Sequence, residues 1–348
     1  LLGDSFDTWG WRIPFLLSAL LLAISVYIRL QLNESPLFQQ MKAEGRASKA
    51  PISESFGRWG NLRIVILALL GATAGQAVVW YGGQFYSLFF LGQTLKIDPL
   101  TTNLLIAAAL LIATPFFVVF GALSDKVGRK PIIMLGCLLA AVTYFPIFKG
   151  LTHYGNPAIE HAAQANPVVV VADPATCAFQ FDPVGKKVFK NSCDIAKSAL
   201  AKAGVPYGNQ AAATGTVASV MIGSTTVSSF EGASLDADAF KTQSAAFGKE
   251  LGDALTAAGY PSKADPAQVN WPMLLLLLTI LVIYVTMVYG PIAAWLVELF
   301  PTRIRYTSMS LPYHIGNGWF GGFLPSISFA LVAWTGDIYY GLWYTIIV

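Results

Sequence analysis

Four charged side chains stand in two short turns between long apolar runs. Asp125 and Arg129 lie in Gly121-Ala-Leu-Ser-Asp125-Lys-Val-Gly128-Arg129-Lys130-Pro131; Glu298 and Arg305 lie in Glu298-Leu-Phe-Pro301-Thr-Arg303-Ile-Arg305. Two carboxylates and two guanidiniums can tie neighbouring segments into one network, because the planar fork of Arg matches a carboxylate. Left solvated, the same charges would contribute almost nothing. A second set is polar but sits inside apolar runs: Gln76, Trp80, Tyr81, Gln84 and Tyr86; then Tyr284 and Tyr289; then Tyr313, His314 and Asn317. Polar groups at such places are costly to bury, which makes them functional candidates. Trp80, Tyr81, Gln84, Tyr86, Tyr289 and Asn317 are the candidates for holding a small solute. The alternative for each aromatic is packing or interfacial anchoring. His314 is the candidate proton carrier, since histidine exchanges protons near neutral pH; a structural hydrogen bond is its alternative. The three histidines are scattered and CxxC spacing is absent, so the reading holds no metal, no cofactor and no nucleophile–base pair of an enzyme.

The elements that must carry these residues are membrane helices. The chain is 55% hydrophobic and 12% charged, with mean hydropathy +0.57, against about 25% charged for a soluble domain. The net charge of +3 is small, and no basic cluster with interleaved aromatics points to nucleic acid. Residues 104–120 and 131–148 carry no charge, and each can fill a hydrocarbon layer about 30 Å thick, which takes roughly 20 helical residues. The turn between them needs Gly128 for φ > 0, and Gly121 for close backbone approach. Spans are expected at Ile13 to Ile28, Ile64 to Leu91 (long enough to tilt or kink), 104–123, 131–148, Pro272 to Val297 and 309–333, with a last one beginning at 338–348. Residues 30–62 read as a long loop with a surface helix.

Residues 150–270 differ. They hold 10 acidic and 8 basic residues and no spanning run. A short buried strand is expected at Val168 to Val171 and helices around 192–203 and 236–258. Both helices end in Ala-Gly-x-Pro, a helix stop. With 30–62 inside, the inner segments hold 11 Lys and Arg and the outer ones three, so the positive-inside bias puts 150–270 outside, which is the periplasm in a Gram-negative cell. An oxidising compartment favours a Cys177–Cys193 disulfide; two free buried thiols are the alternative. Cys137 reads as packing.

Gly-x-x-x-Asp-Lys-x-Gly-Arg-Lys resembles the signature loop of the major facilitator superfamily, found between helices 2 and 3 and again between helices 8 and 9. Asn33-Glu34-Ser35-Pro36 resembles the element after helix 6, and Glu298-x-x-Pro301-Thr302-x-x-Arg305 the one after helix 10. Gly10-Trp11-Arg12-Ile13-Pro14-Phe15 and Trp80-Tyr81-x-x-Gln84-Phe85-Tyr86 resemble the metabolite:proton symporter branch, which includes proline/betaine, α-ketoglutarate, citrate and shikimate carriers. The resemblance implies an all-α polytopic fold, with about seven of twelve helices here and a small α+β domain inserted between helices 9 and 10. The division would be helix 6 in 1–30, the central loop in 31–62, helices 7–9 in 63–149, the insert in 150–270 and helices 10–12 in 271–348; helices 1–5 would lie outside this sequence. It further implies a secondary transporter of the inner membrane, moving a small organic acid or zwitterion with a proton by alternating access, and working as a monomer in the lipid bilayer. Asp125, Arg129, Glu298 and Arg305 would latch the inner side in one access state. The alternative is a membrane-anchored receptor whose outer domain does the work.

Overall fold

The computed structural model describes residues 5–32, 34–183 and 186–348. Asn33, first residue of the Asn-Glu-Ser-Pro element, lies outside the described residues. Six helices among those described are long and apolar enough to cross a membrane: α1 (Thr8–Gln31), α4 (Trp59–Thr94), α5 (Pro99–Val127), α6 (Arg129–Gly155), α10 (Trp271–Leu299) and α11 (Arg305–Thr335). Between α1 and α4 lie two short helices, α2 (Pro36–Ala43) and α3 (Pro51–Phe56), where one surface helix was expected. Ser35 caps α2, accepting from the Phe38 N–H with Pro36 at the first helical position, where a missing N–H costs nothing. The final apolar run yields a six-residue helix, α12 (Leu342–Ile347).

Helix α10 is the centre of the bundle. Its Leu274, Leu278, Leu281, Val282 and Val285 are buried against Tyr86 and Phe90 of α4 and Tyr144, Phe148 and Leu151 of α6. At the other end of the same helix a second cluster joins Leu296 and Phe300 to Val65, Ala68, Ala72 and Ile133. No residue of Arg12–Gln31 in α1 is buried, so that helix rests on none of the others. Helix α4 is continuous but passes through π-helical turns at Leu69–Thr73, Gly82–Tyr86 and Phe90–Thr94, the irregularity that its excess length called for. α11 has one at Gly316–Gly321. Such turns concentrate at functional positions.

Two expected boundaries move. Helix α5 runs through Asp125 to Val127, so Asp125 sits in its last turn rather than beyond it; Gly128 alone makes the turn, at φ 97°. A Cβ on Gly121 would meet open space; the close approach is made from the opposite side, where a Cβ on Gly290 would lie 3.6 Å from the Gly121 nitrogen. Helix α6 passes the composition change at Lys149 and ends at Gly155. Lys149 is exposed there, keeping its ammonium in water while its stem lies along the helix.

Residues 156–270 build a core of their own, while Ile159 and Val269 at the two ends of the range pack into the bundle core. Helix α7 (Pro157–Ala165) leads into β1 (Val168–Ala172); helix α8 (Ser192–Ala203) then crosses to β2 (Gly208–Ala211), parallel to β1. The hairpin β3 (Ser219–Ile222) and β4 (Thr225–Ser228) completes a sheet of order β2-β1-β3-β4. Helix α9 (Ala237–Ala257) closes the unit, and its core joins Val168, Val170, Leu200, Val220, Val227, Phe247 and Leu251. Both expected helix stops occur: Gly204 and Gly259 take φ 70° and 87°. Only the first is followed by a strand, so the likeness of the two ends does not extend to a repeated unit.

Candidate functional site

At one end of the bundle α5, α6 and α10 are held by charge. The last turn of α5 presents Asp125 and Ser124, Gly128 reverses the chain, and Arg129 opens α6. Arg129 NH1 donates to Asp125 Oδ1 and, at 2.9 Å, to Ser124 Oγ; NH2 and Nε donate to Glu298 Oε1 at 3.1 and 3.4 Å. One guanidinium thus joins two carboxylates 173 positions apart in the chain (298 − 125). The carboxylates are more than half exposed while the Arg129 side chain is 18% exposed, so the cation is fixed and its partners can leave it for water.

Arg305 is not in this network. Its Nε donates to the Phe300 carbonyl at 3.1 Å. As first residue of α11 it folds back onto the preceding turn and satisfies a carbonyl beyond the end of α10, where helical partners run out. A second cluster at the same end escaped the sequence reading. Glu54 of α3 meets Arg303 at 2.5 Å and Arg58 at 3.8 Å, and the buried Ser308 hydroxyl donates to Ser55 at 2.8 Å. The four-residue step from Glu54 to Arg58 was the available signal; Arg303 in the turn before α11, and Ser308 on α11, were not legible as partners.

Midway along the spans, α4, α10 and α11 bring polar candidates together. The Trp80 ring lies 4.5 Å from that of Tyr289, and the Tyr289 and Tyr313 hydroxyls are 2.7 Å apart. Phe117 of α5 meets Tyr289 edge-on at 6.3 Å. Gln76 Nε2 donates to Asn317 Oδ1 at 3.3 Å, and Asn317 Nδ2 donates to the Tyr313 carbonyl at 2.9 Å. Gln76 is fully buried, and its Oε1 has no hydrogen-bond partner among the described residues. Trp80, Tyr289 and Asn317 therefore form one group with Gln76 and Tyr313. Tyr81 turns away to stack on Phe85 at 5.1 Å. Gln84 is half-buried, with its Nε2 unpartnered among the described residues. Tyr86 belongs to the core: it is 1% exposed, with Phe148 and Phe329 rings at 5.6 and 5.5 Å. Six residues after Trp80, across a π-helical turn, it falls on another face. His314 is exposed and touches the Tyr313 ring at 5.6 Å, outside the group.

At the opposite end the insert seats directly on α4 and α11. Lys96 Nζ donates to the Lys202 carbonyl at 2.5 Å, the Tyr207 N–H to the Gly336 carbonyl at 2.9 Å and the Tyr207 hydroxyl to the Ala333 carbonyl at 2.6 Å. A Cβ on Gly204 would collide with the Thr94 carbonyl, and one on Gly336 with the Tyr207 carbonyl. Burial lowers the Lys96 pKa and pushes the Tyr207 phenol up. Cys177 and Cys193 form a disulfide, Sγ–Sγ 1.98 Å, pinning the start of α8 to the loop after β1. Cys137 is a free thiol on α6.

Beside this geometry stands a likeness to known proteins. Residues 2–152 match the model of the Major Facilitator Superfamily, so this part of the chain is similar to that family. Over 149 residues the chain is 34% identical to the alpha-ketoglutarate permease of Escherichia coli, covering 43% of this chain and 33% of that one. Over 133 residues it is 32% identical to a Staphylococcus haemolyticus protein named for proline/betaine transport, covering 37% and 27%. The inner membrane metabolite transport protein YhjE of E. coli is 28% identical over 164 residues, 46% and 36%. The chain thus spans about a third of the length of these relatives. No solved structure matches it.

Proposed function

We propose that this chain is part of a secondary transporter that moves a small organic acid or zwitterion across the inner membrane, with a proton, by alternating access. The observation that carries the reading is the bridge from Arg129 to both Asp125 and Glu298. It joins three spans through contacts that water can replace, which is what a reversible inner latch requires. The group of Trp80, Tyr289, Asn317, Gln76 and Tyr313 is the solute-contacting surface of this half; its aromatic faces and amides suit a small carboxylate or zwitterion. Among the described residues no carboxylate lies mid-span, so His314 is the proton-coupling candidate here. The names of the relatives, for alpha-ketoglutarate and for proline/betaine, fit this solute class. In this reading the Gly128 turn faces the cytoplasm, residues 156–270 lie outside, and the transporter works as a monomer. Counterflow of labelled alpha-ketoglutarate, proline and glycine betaine in proteoliposomes of the complete protein tests it. Exchange that Asp125→Asn lowers strongly without loss of membrane insertion is expected; no exchange of any of the three, or normal exchange by the variant, would count against it.

A further inference from the structure

The insert has a cavity of about 500 Å³ where it meets the end of α11. Its wall combines Val170 and Ala172 of β1, Cys177 of the disulfide, Lys197 of α8, Asn209 and Gln210 of β2, and Trp334 with Thr335. Among the described residues no acidic one lines it. Neighbouring Asp173 is turned to the Ala175 and Gly215 N–H groups, each at 3.0 Å, which hold it below the usual carboxylate range.

Lys197 is only 6% exposed. An ammonium has three donors; among the described residues the hydrogen-bond acceptor on its Nζ is the Trp334 carbonyl at 3.2 Å, with the Trp334 ring at 5.8 Å. Asp194, one turn earlier, offsets part of this charge, but its oxygens already accept from the Ala178 N–H at 2.9 Å and Asn191 Nδ2 at 2.5 Å. A buried cation with spare donors is costly unless something anionic completes it. Strand β2 is exposed throughout, so solvent reaches the cavity along that edge.

We infer that this cavity binds a small monocarboxylate with an apolar body, its carboxylate on Lys197 and its carbon chain against Val170, Ala172 and the Trp334 ring. The site is distinct from the group among the spans and does not depend on the transport reading. Because Lys197 and Asn209 also hold the carbonyls of Trp334 and Thr335, occupancy would be felt at the end of α11.

The test is calorimetric titration of the complete protein in nanodiscs with propionate, using propionamide as the neutral isostere. Propionate is expected to bind with Kd below about 1 mM and propionamide at least about tenfold more weakly. Lys197→Met should weaken propionate by at least about tenfold. Gln210→Glu, on the exposed edge strand where folding is not at stake, should weaken it at least about threefold by placing like charge at the mouth. Equal binding of propionamide, an unchanged Kd in either variant, or no saturation up to about 10 mM overturns the inference. A carboxylate held among the spans would respond to neither substitution, so failure here leaves the transport reading untouched.

Discussion

The two ends of the bundle are fastened by different chemistry. At the Gly128 end the joints are ion pairs: the exposed carboxylates of Asp125 and Glu298 on Arg129, and the mostly buried Glu54 on a half-exposed Arg303. At the insert end they are hydrogen bonds to backbone carbonyls, from Lys96, Tyr207, Asn209 and Lys197, and contacts so close that only glycine fits at 204 and 336. Exposed ion pairs exchange readily for water and salt. A buried hydrogen bond such as that of the Tyr207 hydroxyl, with tight packing around it, does not, because breaking it strands desolvated groups. Under the proposed latch, the first end comes apart while the second moves as a single body with α4 and α11.

Substitutions can break this contrast, and the largest effects belong to the tight end and the insert it holds. Gly336→Val places a Cβ against the Tyr207 carbonyl at a backbone with φ 84°. It should cost at least about 2 kcal/mol and free the insert, read as a lower melting temperature and faster proteolysis within 156–270. Next is the disulfide. Its 16-residue separation makes Cys177→Ser with Cys193→Ser worth roughly 3 kcal/mol in the chain-entropy model, read by the same melt, with no thiol lost on alkylation of the parent other than Cys137. The loose end should show in rates, not stability. Asp125→Asn and Glu298→Gln should each lower uptake by roughly tenfold with an unchanged melt, and the double variant should lose less than the product because both act through Arg129. Arg305→Gln should change uptake less than about twofold; an effect as large as that of Arg129→Gln would put Arg305 back in the latch. The smallest effect concerns Asp98, which accepts from the Thr101 N–H and is thereby held below the usual carboxylate range. A depressed carboxylate stabilises fully above its unfolded value of about 4 and loses this as pH falls through the folded one. Parent and Asp98→Asn melts should therefore converge as the pH drops below about 4, and parallel curves would refute the cap.

Much of this organisation could be read from residue order. Uncharged runs long enough to cross a bilayer fixed the spans, the mixed composition of 150–270 marked the insert, and Gly128, Asp125 and Arg129 identified the turn. These are local properties, set by hydropathy, helix stops and the φ > 0 that a one-residue turn demands. Helix ends were misplaced where tertiary contacts extend the helix, as at Gly155 beside Leu95 and Leu274. Four charges at helix ends looked equivalent in the sequence, yet only three meet. Which ones do depends on the rotation of α6 and α10 about each other, and Arg305 lost the choice to the nearer Phe300 carbonyl. The same holds for Tyr86 against Trp80: their spacing permits either face, and the packing of Phe148 and Phe329 decides. Burial of Lys197 required β2, α8 and the end of α11 to converge, a meeting of segments 137 residues apart that no window along the chain contains.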